Sequence, residues 1–150
     1  MEKPNLAWTY KSFEELTKLE LYKILRVRSE VFIIEQHCNY QDVDGKDLKC
    51  HHLMAWDGDN LVAYTRIVPP GVSFREPSIG RVLTVKNYRG LGFGITLMQK
   101  SIEMVYETHG NQPIRIGAQL YLKRFYEDLG FDKASDEFLE DEIPHIEMVL

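Results

Sequence analysis

Six consecutive residues, Arg89-Gly90-Leu91-Gly92-Phe93-Gly94, combine a cation with three glycines and have the composition of an anion-binding turn. Glycines adopt positive φ angles and let a phosphate approach the backbone without a Cβ in the way. A turn of this kind before a helix points successive backbone N–H groups into one concavity, and the helix N-terminus adds partial positive charge. The chain has a formal charge of -5, yet residues 79–102 contain no Asp or Glu and include the cations Arg81, Lys86, Arg89 and Lys100. The sequence therefore predicts a bound polyanion at this turn.

The spacing of the glycines distinguishes three known kinds of phosphate-binding turn. The Walker loop requires a Gly-Lys pair followed by Ser or Thr, which this segment lacks. The Rossmann fingerprint requires a third Gly or Ala where this chain has Ile95, so it fits only in part. The third pattern is Arg/Gln-x-x-Gly-x-Gly/Ala, which binds the pyrophosphate of acetyl-CoA in GNAT acetyltransferases. Residues 89–94 fit that pattern without a mismatch.

The segments on either side of the turn indicate how the fold positions it. A β-branched, apolar run over 79–85 precedes it, and a helix over 94–108 follows, with apolar residues on one side. Other strands are predicted over 6–10, 51–56, 61–68, 114–118, 133–138 and 145–150, and other helices over 17–33 and 120–129. The sequence therefore predicts an α+β (mixed α/β) fold, with a mixed, mostly antiparallel sheet of about seven strands flanked by helices.

A second segment, residues 119–131, resembles the part of the GNAT fold that follows the acetyl-CoA turn. Tyr126, Gly130 and Phe131 match the motif of that family, and Gln119 stands where Asn is usual. With the flanking hairpin and the first helix, the resemblance covers nearly the whole chain.

Smaller matches indicate one branch of the family. Residues 28–47, 79–82 and 140–148 are similar to the ElaA branch of the GNAT proteins, in which Gln is the expected residue at position 119. Asn39 and Glu142 depart from the pattern of that branch, where Pro and Gly are usual. Both departures fall in predicted loops on the acceptor side.

The resemblance implies a single N-acetyltransferase domain over residues 1–150, whose sheet is splayed at the strand before the glycine turn. It implies acetyl-CoA as cosubstrate and direct transfer of its acetyl group to a primary amine. The cofactor-binding residues that it implies are Val82, Leu83, Thr84, Val85, Arg89, Gly90, Leu91, Gly92, Phe93, Gly94, Ile95, Thr96, Gln119 and Tyr126.

Acyl transfer to an amine requires two proton movements, and the sequence offers candidates for both. An alkyl ammonium with a pKa of about 10.4 must lose a proton before its nitrogen can attack. The departing thiolate gains from a hydrogen-bond donor, and the resemblance implies Tyr126 as this general acid. The base stays open among Glu35, His52 and His145, each of which is explained equally well as a structural residue.

Composition and residue spacing argue against several other classes of protein. The acidic balance argues against a nucleic-acid surface, and no apolar run reaches the length of about 18 residues needed to span a bilayer. The N-terminus lacks the profile of a signal peptide, and Cys38 and Cys50 are expected to be free thiols, so we predict a cytoplasmic protein. Adjacent His51 and His52 point to opposite faces of a strand, so no metal is predicted.

Three functions are compatible with these patterns. The first is an acetyl-CoA-dependent N-acetyltransferase acting on a small-molecule or peptide amine. The second is a CoA-binding or sensing module without turnover, because no base is obvious in the sequence. The third is a nucleotide-dependent oxidoreductase. The last pair of strands could also support a homodimer.

Overall fold

The computed structural model describes residues 2–150, in which eight strands and three α-helices follow one another. Helix α1 continues directly into a π-helical segment over Ser29–Glu35. The predicted fold class is confirmed, although residues 134–137, expected in a strand, lie between two short ones. The elements are β1 (Ala7–Ser12), α1 (Lys18–Arg28), β2 (His51–Asp57), β3 (Asn60–Val68), β4 (Ser78–Thr84), α2 (Phe93–His109), β5 (Arg115–Gln119), α3 (Lys123–Asp128), β6 (Asp132–Lys133), β7 (Phe138–Glu140) and β8 (Ile143–Val149).

The strands form two sheets that diverge from a shared edge. The first has the order β1-β2-β3-β4, and the second has the order β5-β8-β6, with β7 also paired to β8. Every strand pair recorded between residues 2 and 150 is antiparallel. At the start of β4 and β5 the Arg115 N–H donates to the Pro77 carbonyl at 3.1 Å, and no ladder between these two strands follows in the described chain. The predicted splay at β4 is therefore present.

A β-bulge in β4 accompanies this splay. Tyr64 lies opposite Leu83 and Arg66 lies opposite Gly80, so that two residues of β4, at positions 81 and 82, face one residue of β3. An extra residue bends a strand and increases its twist. Arg81 has a φ of 50°, which a non-glycine residue rarely adopts. The bulge therefore bends β4 in the stretch where it has no ladder partner on the β5 side.

Helix α2 holds the glycine turn at the end of β4. Its buried side chains, Leu97, Met98 and Val105, are fully covered, because they pack with the apolar residues of β3 and of the second sheet. Thr65 of β3 and Ser101 of α2 also share a hydrogen bond of 2.7 Å between their hydroxyls. Among residues 2–150, no helix has both the length and the apolar character needed to cross a membrane.

Candidate active site

A cleft of about 960 Å³ opens where the two sheets diverge. Strand β4, the glycine turn and the start of α2 form one wall. The end of β5, the start of α3 and the β7–β8 hairpin form the opposite wall. Residues between 31 and 46, which follow α1, contribute a third side. Clefts of this size commonly hold a cofactor or a small-molecule substrate.

Most of the predicted site residues lie on this cleft. Four of the predicted cofactor residues do not line it: Val85 packs in the core, Ile95 is exposed on α2, and Leu91 and Thr96 also lie off the wall. Contact of these four residues with a bound cofactor stays a prediction. The residues brought together are Glu35, Val82, Leu83, Thr84, Arg89, Gly90, Gly92, Phe93, Gly94, Gln119, Tyr126 and His145.

The glycine turn has the backbone conformation that an anion cradle requires. Gly90 and Gly92 have φ angles of 78° and 83°, in the left-handed region that glycine enters at little cost. Gly92 is also the N-cap of α2, whose first N–H groups have no intrahelical partners. The turn, the helix dipole and the guanidinium of Arg89 therefore suit a pyrophosphate.

The basic window around the turn is weaker than its composition suggested. Arg81 is directed away from the turn, with its Nε 2.7 Å from Asp42 Oδ1, and Lys100 lies over the ring of Trp8. One cation that the sequence did not indicate lies close to the turn instead, because Lys3 Nζ is 5.3 Å from the centre of the Phe93 ring. The predicted anion site therefore depends on the geometry of the turn more than on the local charge bias.

Strand β4 presents an unpaired backbone edge to the cleft. Its partner β3 covers one edge, while the other faces the gap between the sheets, where Gly80, Arg81 and Val82 line the cleft. Unpaired strand edges bind extended ligands through main-chain hydrogen bonds. The pantetheine arm of CoA contains two amides and matches such an edge.

Tyr126 lies on the opposite wall, in α3. It is 5% exposed and packs edge-on against Phe125 and Phe131, with ring centres 5.1 and 6.0 Å apart. Burial raises the pKa of the Tyr126 phenol well above its usual value, so the hydroxyl keeps its proton at neutral pH. Tyr126 is therefore a hydrogen-bond donor on a cleft that also contains the glycine turn and a free strand edge.

Comparison with known proteins assigns this arrangement to a family. The family model described as "Acetyltransferase (GNAT) domain" matches residues 17–150, which is most of the chain. The chain belongs to the GNAT acetyltransferase family. The oxidoreductase alternative, which depended on a partial Rossmann match, is therefore set aside.

Individual relatives place the chain near ElaA within the GNAT family. Protein ElaA of Escherichia coli (strain K12) is 38% identical over 145 residues, which cover 95% of each chain. The crystal structure of an acyl-CoA N-acyltransferase from Pseudomonas aeruginosa superposes with a TM-score of 0.93 and 41% identity, covering 97% of this chain and 99% of that one. The crystal structure of E. coli ElaA gives a TM-score of 0.91 and 37% identity, with the same coverage. The predicted ElaA-like GNAT resemblance and the acyl-CoA acyltransferase fold are confirmed.

One of the three candidate bases, His52, does not reach the cleft of this GNAT domain. It is completely buried, with Nδ1 2.6 Å from the Tyr64 hydroxyl and Nε2 3.1 Å from the Asp47 carbonyl. A carbonyl only accepts, so we assign the proton to Nε2 and the accepting role to Nδ1. Burial lowers the pKa of His52, which favours this neutral form. His52 is therefore not placed to act on a substrate.

The other two candidate bases line the cleft, but both already have partners. Glu35 Oε1 lies 2.7 Å from Arg89 Nη2. His145 Nδ1 lies 2.7 Å from the Ile143 carbonyl, so Nδ1 carries a proton, and Nε2 lies 3.4 Å from Glu140 Oε2. The contact with Glu140 is an ion pair only when the ring carries both protons. Across residues 2–150, no group of three or more His, Cys, Asp or Glu is arranged to hold a metal ion.

Sequence reasoning missed a group of charged residues beside the third side of the cleft, which we name the arginine–aspartate cluster. Its contacts include Arg28 Nη1 to Asp47 Oδ1 at 2.7 Å, Arg81 Nε to Asp42 Oδ1 at 2.7 Å, Arg28 Nε to Asp42 Oδ2 at 2.9 Å, and Arg66 Nη1 to Asp44 Oδ1 at 2.9 Å. These contacts fasten residues 42–47 to α1, to β3 and to the bulge of β4. The members are Arg28, Arg66, Arg81, Asp42, Asp44 and Asp47.

One signal in the sequence could have indicated this cluster. Arg66 interrupts the apolar strand β3, and a charge on a buried strand requires a counterion because desolvation is costly. The counterions are supplied by the three aspartates of residues 42–47. A smaller polar contact was also missed, since Gln119 Nε2 donates to Gln36 Oε1 at 3.2 Å across the cleft.

Proposed function

We propose that this protein is an acetyl-CoA-dependent N-acetyltransferase that moves an acetyl group directly to the primary amine of a small molecule or peptide. The main support for the proposal is the combination of features that meet in the cleft. The cleft joins the glycine turn at the N-terminus of α2, the free edge of the bulged β4 and the phenol of Tyr126. We further propose that residues 1–150 act as one cytoplasmic domain.

The two ends of acetyl-CoA would occupy different parts of the cleft. The backbone N–H groups of residues 90–94 and the guanidinium of Arg89 would hold the pyrophosphate. The backbone of residues 82–84 would bind the pantetheine arm and polarise the thioester carbonyl, while Gln119 lies near the opposite wall. This placement would bring the sulfur toward Tyr126.

In the proposed reaction, the amine nitrogen attacks the thioester carbon directly. The ammonium of the acceptor gives one proton to a base, and the nitrogen lone pair then forms a bond with the thioester carbon. The carbon–sulfur bond breaks, and its electron pair leaves on the sulfur. Tyr126 supplies a hydrogen bond to that sulfur, which ends as a thiol with the second proton lost by the nitrogen. The products are an amide, CoA and one proton.

Glu35 and His145 are the two groups positioned to receive the first proton. Glu35 can do so only after it leaves Arg89, and His145 only when its ring is neutral and Glu140 moves aside. Glu140 is largely exposed, so its side chain is free to move. A chain of water molecules to either group would serve the same purpose.

The same two contacts favour a second candidate function, a CoA-binding or sensing module without turnover. With both candidate bases already in contact with other side chains, a cleft of this kind can bind CoA without activating an amine. The glycine turn and the free β4 edge would then be sufficient for function.

A screen of amine acceptors with acetyl-CoA, in which released CoA thiol is detected, tests the proposal. For an acceptor found in this way, Tyr126→Phe should lower kcat by about 100-fold, a typical loss for a removed acid catalyst, with the Kd of CoA unchanged. Tyr22→Phe, which alters an exposed tyrosine away from the cleft, is the control. If the protein binds CoA but releases no CoA thiol with any amine in the screen, the result would support the sensing module instead.

A further inference from the structure

The ion pair between Arg89 and Glu35 connects the wall that contains the glycine turn with the third side of the cleft, formed by residues between 31 and 46. Arg89 begins the glycine turn, and Glu35 ends the π-helical segment, which belongs to the third side of the cleft. The side chains are 43% and 33% exposed, and Nη2 and Oε1 are 2.7 Å apart. A ligand entering the cleft can therefore reach both groups.

A pyrophosphate on the glycine turn would compete with Glu35 for the same guanidinium. The Nε of Arg89 donates to the Thr84 carbonyl at 2.8 Å, and Nη2 faces Glu35, so two of its donor directions are already occupied. Arginine binds phosphate with two parallel hydrogen bonds, and a pyrophosphate carries more negative charge than one carboxylate. When the pyrophosphate binds, the Glu35 carboxylate loses its counterion while it still lines the cleft.

We propose that Glu35 binds the ammonium group of the acceptor, and that it becomes available when the pyrophosphate of acyl-CoA replaces it on Arg89. This inference rests on the proposed function and adds to it a positioning residue, Glu35, whose availability depends on the bound donor. The acceptor is then a cationic amine. By linkage, donor and acceptor strengthen the binding of each other.

The backbone around Glu35 supports a functional role for this position. Residues Ser29–Glu35 form a π-helix, a conformation that is rare and is found frequently at functional sites. His37, two residues later, has a φ of 50°, which is unusual for a residue other than glycine. This irregular backbone ends α1 and places Glu35 and Gln36 on the cleft.

The first test compares Glu35→Gln with Glu30→Gln. Glu30 lies on the same π-helical segment, pairs with the exposed Arg26 and does not line the cleft, so it matches the change in charge. Because Glu35 competes with the pyrophosphate, Glu35→Gln should lower the Kd of CoA by about two- to five-fold, the scale of an exposed ion pair. The Kd of pantetheine, which lacks the pyrophosphate, should not change. Calorimetry on the full chain measures both.

The second test uses n-butylammonium as a minimal acceptor, titrated with and without CoA and followed by NMR. It should bind several-fold more tightly to the CoA-loaded protein, and Glu35→Gln should remove that difference while Glu30→Gln keeps it. Equal CoA affinity in the two variants, or equal n-butylammonium affinity with and without CoA, would overturn the inference alone. If the wild-type protein bound no CoA, the proposed function would fail first, and the inference with it.

Discussion

Two sets of arginine–carboxylate contacts lie within this domain, and they differ in burial. In the arginine–aspartate cluster, Arg28 is completely buried and meets two carboxylates, whereas Arg89 at the glycine turn is 43% exposed and meets one. Breaking a buried ion pair leaves an uncompensated charge, while an exposed pair contributes little to stability. Loss of one partner should therefore destabilise the buried set strongly, whereas the exposed pair is open to exchange with a ligand.

Removal of Arg28 tests the buried set and should have a larger effect than any other substitution proposed below. Arg28→Ala would leave Asp42 and Asp47 buried without their main counterion, so it should lower the free energy of unfolding by about 3–5 kcal/mol. Urea unfolding followed by circular dichroism measures this change. If the alanine variant does not fold, Arg28→Lys can be used instead. Lysine keeps the charge but cannot contact both carboxylates as the guanidinium does, so it should lower the free energy of unfolding by a smaller amount.

Arg26→Ala is the control, because Arg26 lies in the same helix and pairs with Glu30 at the surface. An exposed pair of this kind contributes about 0.3–0.5 kcal/mol. If the two alanine variants lost similar stability, the distinction between the buried and exposed sets would not hold.

The second prediction concerns the exposed side. Arg89→Gln should weaken CoA binding by about 10- to 100-fold, because a hydrogen bond to a charged group contributes about 1.5–3 kcal/mol. Its free energy of unfolding should stay within about 0.5 kcal/mol of the wild type, as for most surface substitutions. Calorimetry with CoA and urea unfolding give the two quantities.

Arg124→Gln provides the matched control for Arg89→Gln. Arg124 forms an exposed pair with Asp128 and lies off the cleft, so its CoA affinity should equal that of the wild type. Unchanged CoA affinity in Arg89→Gln would mean that the backbone of the turn holds the pyrophosphate without this guanidinium.

The third prediction uses pH to test the partly buried member of the cluster, Asp44. Burial raises its pKa, but the hydrogen bonds and charge of Arg66 outweigh burial and lower the pKa of Asp44 from 3.8 to about 2. The unfolded chain therefore binds more protons between these values. The stability contributed by Asp44 is fully present above pH 3.8 and is lost as the pH falls toward 2.

Asp44→Asn should consequently cost about 1–2 kcal/mol at pH 7, a value reduced by the partial exposure of Asp44. The difference between wild type and variant should stay constant down to about pH 5 and then shrink. Urea unfolding at each pH measures this difference, from which the titration of His52 cancels because both proteins contain it. A difference that is as large at pH 2 as at pH 7 would contradict the assignment.

The sequence predicted the glycine turn well, but it did not predict the arginine–aspartate cluster. The glycine turn follows from six adjacent residues, and the strand before it and the helix after it were placed correctly within one or two residues. A local pattern of this kind can be predicted from the sequence because the residues that act together are adjacent in the chain. The positions of Arg89 and Gly92 on the cleft follow directly.

The cluster could not be assembled in the same way, because its members come from four separate segments. Arg28 and Asp47 are 19 positions apart, and Arg81 and Asp44 are 37 apart, so their contact depends on the tertiary fold. The failure to separate His52 from His145 has the same cause. Strand β2 lies inside the first sheet and β8 borders the cleft, but each histidine is on a predicted strand.

The last prediction concerns backbone strain in the turn between β7 and β8, and its expected effect on stability is small. The glycine turn uses Gly90 and Gly92 at positive φ, whereas the two-residue turn between β7 and β8 uses Asp141 and Glu142, with φ angles of 50° and 66°. Turns with both residues at positive φ favour glycine.

Glu142→Gly should therefore raise the free energy of unfolding by about 0.5–1 kcal/mol. Relief of a left-handed residue contributes about 1–2 kcal/mol, and the greater freedom of glycine in the unfolded chain offsets about 0.5–1 kcal/mol of this. Glu137→Gly, at an exposed position of the same segment without a positive φ, should instead lower stability. Thermal and urea unfolding of both variants measure the effect, and equal losses in the two would show that the turn at Glu142 carries no strain. A gain confined to Glu142→Gly would place backbone strain in the β7–β8 hairpin that lines the cleft, in contrast to the glycine turn, where glycines take the positive φ angles.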